Sequence, residues 1–310
     1  MAGNPREQMI ERTRRAACAV ASELGLTIDS AEVIAFQSSV ILRLMPHNLI
    51  ARVSGEAARI RPGADGRARE IEVTQYLAAA GAPVVSPSKL IDPGPHHRDG
   101  LTVTFWEYAA ESDRPKSEAA ALATLRACHD ALKTYPGPLP YLQGYNETRK
   151  LFHELWQNDD LGVIDPGDTV QRLAAIDAVL ADKGFDGDPA NVPLHGDAHL
   201  GNMLVTDDRP DGTGLWIDWE DVSRGPVEWD YACLIVSLRD DPSRSADEVT
   251  MMADIAGETD RDCLDVLIDA RALQRELWDT AIKVLHLREG AGRGLASRGL
   301  NFLSRKLQRQ

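Results

Sequence analysis

The chain of 310 residues lacks any long uninterrupted apolar run, because charged and polar side chains interrupt its hydrophobic stretches. A membrane-spanning helix needs about 20 consecutive and predominantly apolar residues, so we expect no membrane partner. The first 25 residues alternate charged side chains with alanine and lack the apolar core of a secretory signal. We therefore expect a cytoplasmic protein.

Cysteine is scarce, and the four cysteines lie far apart with no CxxC pair among them. Zinc and redox sites commonly use such closely spaced pairs. Each cysteine lies in a helix-like stretch beside alanine or leucine, at Cys18, Cys128, Cys233 and Cys263. We predict buried, reduced thiols.

Glycine-rich phosphate-binding motifs are also missing, since no GxxxxGK[ST] sequence occurs. The glycine-rich segment EGAGRGLASRG (289–299) follows a predicted helix rather than a strand. P-loop and dinucleotide sites need a strand before the glycine turn. The sequence therefore argues against both kinds of site.

A basic excess is absent, and the net charge is −14. Residues 1–108 carry equal numbers of acidic and basic side chains, so the whole acidic excess lies in residues 109–310. An acidic surface repels the phosphate backbone, which argues against a nucleic-acid partner. The excess is explained either by solubility or by attraction of a cationic ligand.

The local patterns predict an α+β protein whose two parts meet near residues 108–116. In the first part, the patterns predict a small sheet with flanking helices. The helices are expected over 5–24 and 67–80, and the strands over 31–36, 40–45, 49–53 and 101–108. Only Pro46-His47-Asn48 separates the strands over 40–45 and 49–53, which predicts an antiparallel hairpin. The second part predicts helices over 117–132, 146–157, 168–182, 228–239 and 260–288, with short strand-loop elements at VPLHGD and LWIDWED.

The segment HGDAHLGN (195–202) concentrates polar side chains between two apolar stretches. His195, Asp197 and His199 could converge on one metal ion, but neither an HExxH sequence nor a third histidine motif supports a zinc site. A simple polar turn leaves the carboxylates that follow the segment unexplained. A phosphoryl-transfer catalytic loop is the third interpretation.

Kinases place an asparagine five residues after the catalytic aspartate and a second metal-binding aspartate on a nearby strand end. Asp197 and Asn202 have this spacing, and Asp218 follows in IDWED. The intervening MLVTDDRPDGTGLWI predicts a hairpin that returns Asp218 to the side of Asn202. In this interpretation Asp197 orients and deprotonates the attacking hydroxyl, and the other two residues hold Mg²⁺.

The sequence resembles the aminoglycoside phosphotransferase family, which is related to choline kinases. The resemblance rests on LIARV, REIEVTQYLAAAGAPV, TFWEY, LRACHDAL, HGDAHLGNML and WIDWEDVSRGPVEWDYA, in this order. It implies a two-lobed protein-kinase-like fold, with a small antiparallel-sheet nucleotide-binding lobe over 1–108 and a larger, mainly helical lobe over 109–310 for catalysis and acceptor binding. It also implies ATP-dependent phosphorylation of a small-molecule hydroxyl with Mg²⁺.

The same resemblance implies that Arg52 contacts the nucleotide phosphates, where protein kinases use lysine, and that Glu70 pairs with it. The alternative is a surface ion pair worth ~0–1 kcal/mol. Hydroxyls and backbone amides of the turn at Ser38 and Ser39 are expected to cradle phosphate in place of glycines. The backbone of the linker is expected to bind the purine, while its rings can pack in the core: Phe105, Trp106, Glu107 and Tyr108.

Supporting roles are expected for four residues. His195 braces the loop, His199 contacts the backbone or Asp218, Asp230 is structural, and Glu220 adds a contact near the metal. From charge alone we hypothesise that acidic residues of the second part meet an amine-bearing acceptor: Glu147, Asp159, Asp160, Asp262 and Asp265. The competing functions are a nucleotide-binding pseudokinase without turnover and a zinc hydrolase using His195, Asp197 and His199; the acceptor's identity, ATP against GTP, and the oligomeric state stay open.

Overall fold

The computed structural model describes residues 5–36, 39–54, 64–182, 191–209 and 213–290. The chain divides into two compact units, and residues 80–83 belong with the part that begins at residue 111 rather than with the part that ends at residue 110. The first unit contains an antiparallel sheet, and the second is mainly helical. The predicted α+β class is confirmed.

The first unit is built on a five-stranded sheet with the order β1-β2-β3-β5-β4 and antiparallel neighbours throughout. Its elements are helix α1 (Pro5–Glu23), strands β1 (Ser30–Phe36), β2 (Ser39–Met45) and β3 (Leu49–Ser54), helix α2 (Ala64–Ala79), and strands β4 (His96–Arg98) and β5 (Leu101–Glu107).

The β2–β3 hairpin forms where the sequence predicts it, with Leu42 opposite Ala51. Asn48 has a positive φ of 51°, which asparagine tolerates better than most side chains and which permits the tight turn. Alternate residues of β2 are buried and pack with residues of α1, β3 and β5 in one hydrophobic core. Burying a valine or leucine side chain contributes about 1.5–3 kcal/mol, so this face fixes the register of the sheet.

The second unit carries most of the helices together with two short antiparallel strand pairs, β6–β9 and β7–β8. Its elements are α3 (Glu118–Leu132), α4 (Gln143–Gln157), α5 (Pro166–Asp182), β6 (Val192–Leu194), β7 (Met203–Val205), β8 (Gly214–Trp216), β9 (Ser223–Gly225), α6 (Glu228–Arg239), α7 (Ser245–Ile255) and α8 (Arg261–Gly290).

The predicted helices of both parts and the β7–β8 hairpin are confirmed, whereas β4, β9 and α7 are absent from the prediction. Strands β4 and β9 have three residues each, too few for an alternating pattern to be recognised. Helix α7 buries only Met251 and Ile255, so its apolar stripe is weak. Among the described helices, none combines the length and apolar character needed to span a bilayer.

All four cysteines are free thiols, as predicted, and they lie in α1, α3, α6 and α8. Three of them are buried, and burial raises the pKa of the Cys128 and Cys233 thiols. Cys18 is only partly buried, which corrects the expectation of full burial. Ser38 and most of the glycine-rich segment 289–299 lie outside the described residues.

Candidate active site

The loop after β6 is held by the carboxylate of Asp230, which lies in the first turn of α6 and is fully buried. Asp230 accepts hydrogen bonds from the backbone N–H groups of His195 (2.7 Å) and Gly196 (2.8 Å). The Nε2 atom of His129, on α3, lies 2.7 Å from the same carboxylate. A buried carboxylate requires such donors, so α3 and α6 together fix the start of the loop.

Gly196 allows the loop to pass very close to the segment that follows Asp218. Its φ is +88°, and a Cβ atom at this position would lie 1.9 Å from the carbonyl oxygen of Asp221. The Gly196 carbonyl accepts a hydrogen bond from Trp229 Nε1 at 2.8 Å. Glycine is therefore required here both by the backbone conformation and by the available space.

His195 is fully buried between Trp216 and Trp219, with ring centroids 5.2 and 4.4 Å away. The backbone N–H of Asp197 donates to its Nδ1 (3.3 Å), so Nε2 carries the proton that faces the Ile217 carbonyl at 3.0 Å. Burial lowers the pKa of His195, which favours the neutral ring. Each nitrogen is thus engaged in bracing the loop.

This arrangement contradicts the zinc alternative, because His195 has no ring nitrogen left to bind a metal. Within the described ranges, no three histidine, cysteine, aspartate or glutamate side chains are grouped as a metal site would require. His199 accepts a hydrogen bond from the backbone N–H of Gly201 at 3.0 Å, the first of the two contacts expected for it.

Asp197 presents a partly exposed carboxylate, with 23% of its side-chain surface accessible. Its Oδ1 lies 2.5 Å from Nη2 of Arg271, and its Oδ2 accepts from Asn202 Nδ2 at 3.2 Å and lies 3.6 Å from His199 Nε2. Burial acts to raise the pKa of this carboxyl, but the Arg271 guanidinium and His199 outweigh burial and hold the pKa well below its usual range. Asp197 is therefore ionised at neutral pH.

Asn202 and Asp218 lie at the open end of the β7–β8 hairpin. The backbone N–H of Ile217 donates to the Asn202 carbonyl at 2.9 Å, which extends the hairpin by one bond and brings the next residue, Asp218, beside the loop. Asn202 Nδ2 also donates to the Asp197 carbonyl at 3.0 Å, so the amide nitrogen faces Asp197 and the amide oxygen is the atom left for another partner. The structure thus gathers all three residues at one loop and hairpin end.

Asp218 has a left-handed backbone conformation, with φ 64° and ψ 57°. Such non-glycine conformations cost of order 1–3 kcal/mol and cluster at functional sites. The predicted metal donors, the Asp218 carboxylate and the Asn202 amide oxygen, are hard oxygen atoms, which suit Mg²⁺ better than a softer metal. Glu220 follows in a single helical turn, Trp219–Asp221, and is half-buried. The metal roles stay predictions.

In the first unit, Arg52 and Glu70 form a buried ion pair, with Arg52 Nη1 donating to Glu70 Oε1 at 2.7 Å. Arg67 Nη1 donates to the other oxygen, Oε2, at 3.1 Å, and only 1% of the Glu70 side chain is accessible. The surface-pair alternative is therefore wrong. Breaking a buried pair by removing one partner costs about 3–5 kcal/mol, so this pair holds the Arg52 side chain firmly.

The linker at the end of β5 is only partly available for a purine. The backbone N–H of Phe105 donates to the Pro93 carbonyl (3.0 Å), and its carbonyl accepts from the Ser88 N–H (2.9 Å). The backbone N–H of Glu107 donates to the Ser86 carbonyl at 2.9 Å. The expectation that the whole segment offers its backbone to the base is corrected for these three groups.

The side chains of the linker are buried or contact other side chains of the first unit. Phe105 and Trp106 are buried, and the Trp106 Nε1 donates to Thr104 Oγ1 at 2.9 Å. Tyr108 is half-buried and lies under the guanidinium of Arg43, 4.0 Å from the ring centroid. Ser39 is buried at the start of β2, where its hydroxyl lies 3.4 Å from Arg67 Nη2.

The acidic residues expected to meet the acceptor lie on α4, after it, and at the start of α8. Asp159, Asp262 and Asp265 are exposed, and Asp265 pairs with Arg261 at 3.0 Å. Asp160 is half-buried just after α4. Glu147 is half-buried within α4, where its Oε1 accepts from Gln143 Nε2 at 3.0 Å. These contacts leave the acceptor role a prediction.

Arg271 is the residue of this site that the sequence reasoning missed. It lies on α8 and continues the spacing of the buried residues Leu264 and Leu267, as does Gln274. Polar side chains on an apolar helix stripe are the signal that could have identified both residues.

Comparison with known proteins identifies the family of this chain. Residues 30–267, more than half of the chain, match the APH model of the "Phosphotransferase enzyme family". The chain therefore belongs to this phosphotransferase family. A comparison with curated protein sequences gives no significant match.

Solved structures share the fold at low sequence identity. Amicoumacin kinase hAmiN, in complex with AMP-PNP, Ca²⁺ and Ami, superposes with a TM-score of 0.64 at 15% identity, covering 97% of this chain and 94% of that one. A thermostable mutant of aminoglycoside phosphotransferase APH(4)-Ia gives 0.60 at 16%, covering 90% and 99%. A choline/ethanolamine kinase family protein from Mesorhizobium loti gives 0.56 at 19%, covering 97% and 95%. The predicted two-lobed protein-kinase-like fold is confirmed.

Proposed function

We propose that this protein is an ATP- and Mg²⁺-dependent kinase that transfers the γ-phosphoryl group to a hydroxyl of a small molecule. The observation that carries the proposal is the ionised, partly exposed carboxylate of Asp197 beside Asn202 and the strained Asp218. In this proposal residues 1–108 bind the nucleotide, and residues 109–310 provide the catalytic groups and the acceptor site.

Asp197 would act on the acceptor hydroxyl. The hydroxyl donates a hydrogen bond to the carboxylate, its oxygen bonds to the γ-phosphorus, the bond from that phosphorus to ADP breaks, and the proton passes to Asp197. The transition state of phosphoryl transfer is loose, so the hydroxyl needs orientation more than early deprotonation. Positioned general bases typically contribute ~10²–10⁴-fold to the rate.

Asn202 and Asp218 would hold the metal through the amide oxygen and the carboxylate. Bound Mg²⁺ neutralises charge on the phosphate oxygens. Support comes from the donor set and from the structural neighbours, since hAmiN holds AMP-PNP with Ca²⁺ and APH(4)-Ia is also known with ADP and hygromycin B.

Arg52 would contact the phosphates from the first unit, with Glu70 and Arg67 fixing its direction. A guanidinium is a planar fork and binds phosphate through two parallel hydrogen bonds, whereas the lysine of protein kinases is a point charge. The buried ion pair supports this role because it keeps the guanidinium from rotating freely.

The acceptor would be a hydroxyl compound that bears amines. Support comes from the acidic excess of residues 109–310 and from Glu147, Asp159, Asp160, Asp262 and Asp265. One structural neighbour, APH(3'')-Id from Streptomyces rimosus, was solved with streptomycin. A preference for neutral or anionic acceptors would contradict this part of the proposal.

The test is an ATP-consumption screen over aminoglycosides, choline, amino sugars and neutral sugars, with and without Mg²⁺. Asp197→Ala should abolish turnover, whereas Asp207→Ala, at a well-exposed carboxylate of the same hairpin, should leave it within twofold. Nucleotide binding without turnover of any acceptor would favour the pseudokinase instead. Turnover that survives Asp197→Ala would remove Asp197 from the mechanism.

A further inference from the structure

Arg271 of α8 is a buried arginine whose charged end is aimed at Asp197. Only 10% of its side chain is accessible, compared with 23% for Asp197. One terminal nitrogen, Nη2, lies 2.5 Å from Asp197 Oδ1, and the other, Nη1, donates to Gln274 Oε1 at 2.5 Å. The guanidinium therefore approaches the carboxylate from the interior of the second unit, and Oδ1, the oxygen that it faces, is itself shielded from solvent.

Gln274 connects this pair to α4. Its Nε2 donates to the Gly144 carbonyl at 3.3 Å, and a Cβ atom at Gly144 would lie 2.9 Å from that nitrogen and 3.1 Å from Trp229 Cζ2. Trp229 in turn donates to the Gly196 carbonyl, one residue before Asp197. These contacts link α8 to α4 and α6 to the loop, and Gly144 of α4 lies close to Trp229 of α6.

The charge balance around Arg271 is set by carboxylates of the loop region. Burial acts to lower the pKa of Arg271, but the carboxylates of Asp197 and the buried Asp221 hold it above its ordinary value. Arginine keeps its proton under all physiological conditions, so the group stays a cation even when buried. A buried cation of this kind is costly unless a carboxylate faces it, which ties its position to that of Asp197.

We propose that Arg271 is a positioning residue that fixes the Asp197 carboxylate for phosphoryl transfer. The inference rests on the proposed function of Asp197 as the group that orients the acceptor hydroxyl. The contacts of Oδ1 with Arg271 and of Oδ2 with Asn202 restrict rotation of the carboxylate about its terminal bond. The accessible part of the carboxylate is thereby held in one orientation, in which an acceptor hydroxyl can donate to it.

The kinetic test compares three variants with the wild-type protein. Arg271→Met keeps most of the side-chain stem but removes the cation, and we expect kcat to fall by roughly 10²-fold, the loss typical of a misplaced catalytic group. The KM for ATP should change less than twofold. Arg271→Lys restores a charge without the planar fork, so its kcat should lie between those of the wild type and Arg271→Met.

The matched control is Arg275→Met, one turn further along α8. Arg275 also pairs with an aspartate, Asp240, but 41% of its side chain is accessible, and among the described residues no hydrogen bond or ion pair joins it to the loop. Its kcat should stay within twofold of the wild-type value. Equal losses in Arg271→Met and Arg275→Met, or a wild-type kcat in Arg271→Met, would overturn the proposal.

A double-mutant cycle of thermal unfolding tests the pair without any acceptor. Asp197→Asn and Arg271→Met each leave one charge without its partner, whereas the double variant removes both charges. The Tm of the double variant should therefore exceed the value expected from adding the two single losses. Additive losses would overturn the coupling, and absence of wild-type turnover with every acceptor would instead overturn the proposed function, so the two failures are distinguishable.

Discussion

Replacing Asp230 with asparagine should lower the free energy of unfolding of the second unit far more than replacing an exposed aspartate. The wild-type carboxylate accepts from His195, Gly196 and His129 at 2.7–2.8 Å and is fully buried. Asparagine keeps one oxygen acceptor but turns its NH₂ group toward a donor at the other position. At least one buried donor loses its partner and the charge is lost from all three bonds.

The magnitude follows from the cost of these bonds. Hydrogen bonds to charged groups are worth about 1.5–3 kcal/mol each, and a buried donor left unsatisfied costs about 1–3 kcal/mol. We therefore expect Asp230→Asn to lower the free energy of unfolding by about 3–5 kcal/mol, the range seen when one partner of a buried pair is removed. Turnover should fall with it, because the loop that carries Asp197 loses its anchor.

The assay is urea unfolding followed by tryptophan fluorescence. Trp216, Trp219 and Trp229 are fully buried in the second unit and surround the loop, so they report on its transition. Asp207→Asn is the control, since surface substitutions usually change stability by less than about 0.5 kcal/mol. A loss below about 1 kcal/mol for Asp230→Asn, with an unchanged m-value, would show that the carboxylate does not hold the loop.

Three further predictions concern the same loop. Gly196→Ala should abolish turnover and lower the Tm, because the new methyl group would overlap the Asp221 carbonyl; a wild-type Tm would contradict the close approach. Asp218→Asn should keep the Tm, since asparagine also tolerates positive φ, but should lose Mg²⁺-dependent turnover by at least about 10²-fold if the carboxylate stabilises charge in the transition state. Burial lowers the pKa of His195, so as the pH falls below about 6.5 this histidine is protonated in the unfolded chain before it is protonated in the folded protein. The Tm should therefore decrease from pH 7.5 to pH 5.5. The decrease should be smaller in His195→Gln.

The sequence predicts the parts of this protein that depend on local pattern. Strand β2 buries alternate residues from Val40 onward and pairs with β3 around a short turn, and the spacing of Asp197, Asn202 and Asp218 corresponds to one loop and one hairpin. Both follow from residues close together in the chain, so periodicity and spacing are sufficient to identify them.

Long-range contacts explain what the sequence could not predict. Arg271 is 74 residues from Asp197 in the numbering of the chain, and nothing local in the α8 sequence indicates which carboxylate it pairs with. The engagement of Phe105 and Glu107 by residues 86–93 likewise depends on a segment whose sequence has no strand pattern. Such pairings are set by how helices and loops pack, which single-sequence patterns do not encode.

If Asp197 acts on the acceptor hydroxyl as proposed, its contacts favour orientation over strong basicity as its contribution. A carboxylate held by a guanidinium, an amide and an imidazole has less electron density to offer a proton than a free one, and its pKa lies below the usual range. A loose phosphoryl-transfer transition state leaves most of the proton on the acceptor oxygen until the new bond is well advanced, so a weak base loses little rate. In the proposed mechanism the reaction needs a fixed hydrogen-bond acceptor at Asp197, and the contacts of Arg271 with Asp197 and Gln274, and of Gln274 with Gly144, are suited to supply one.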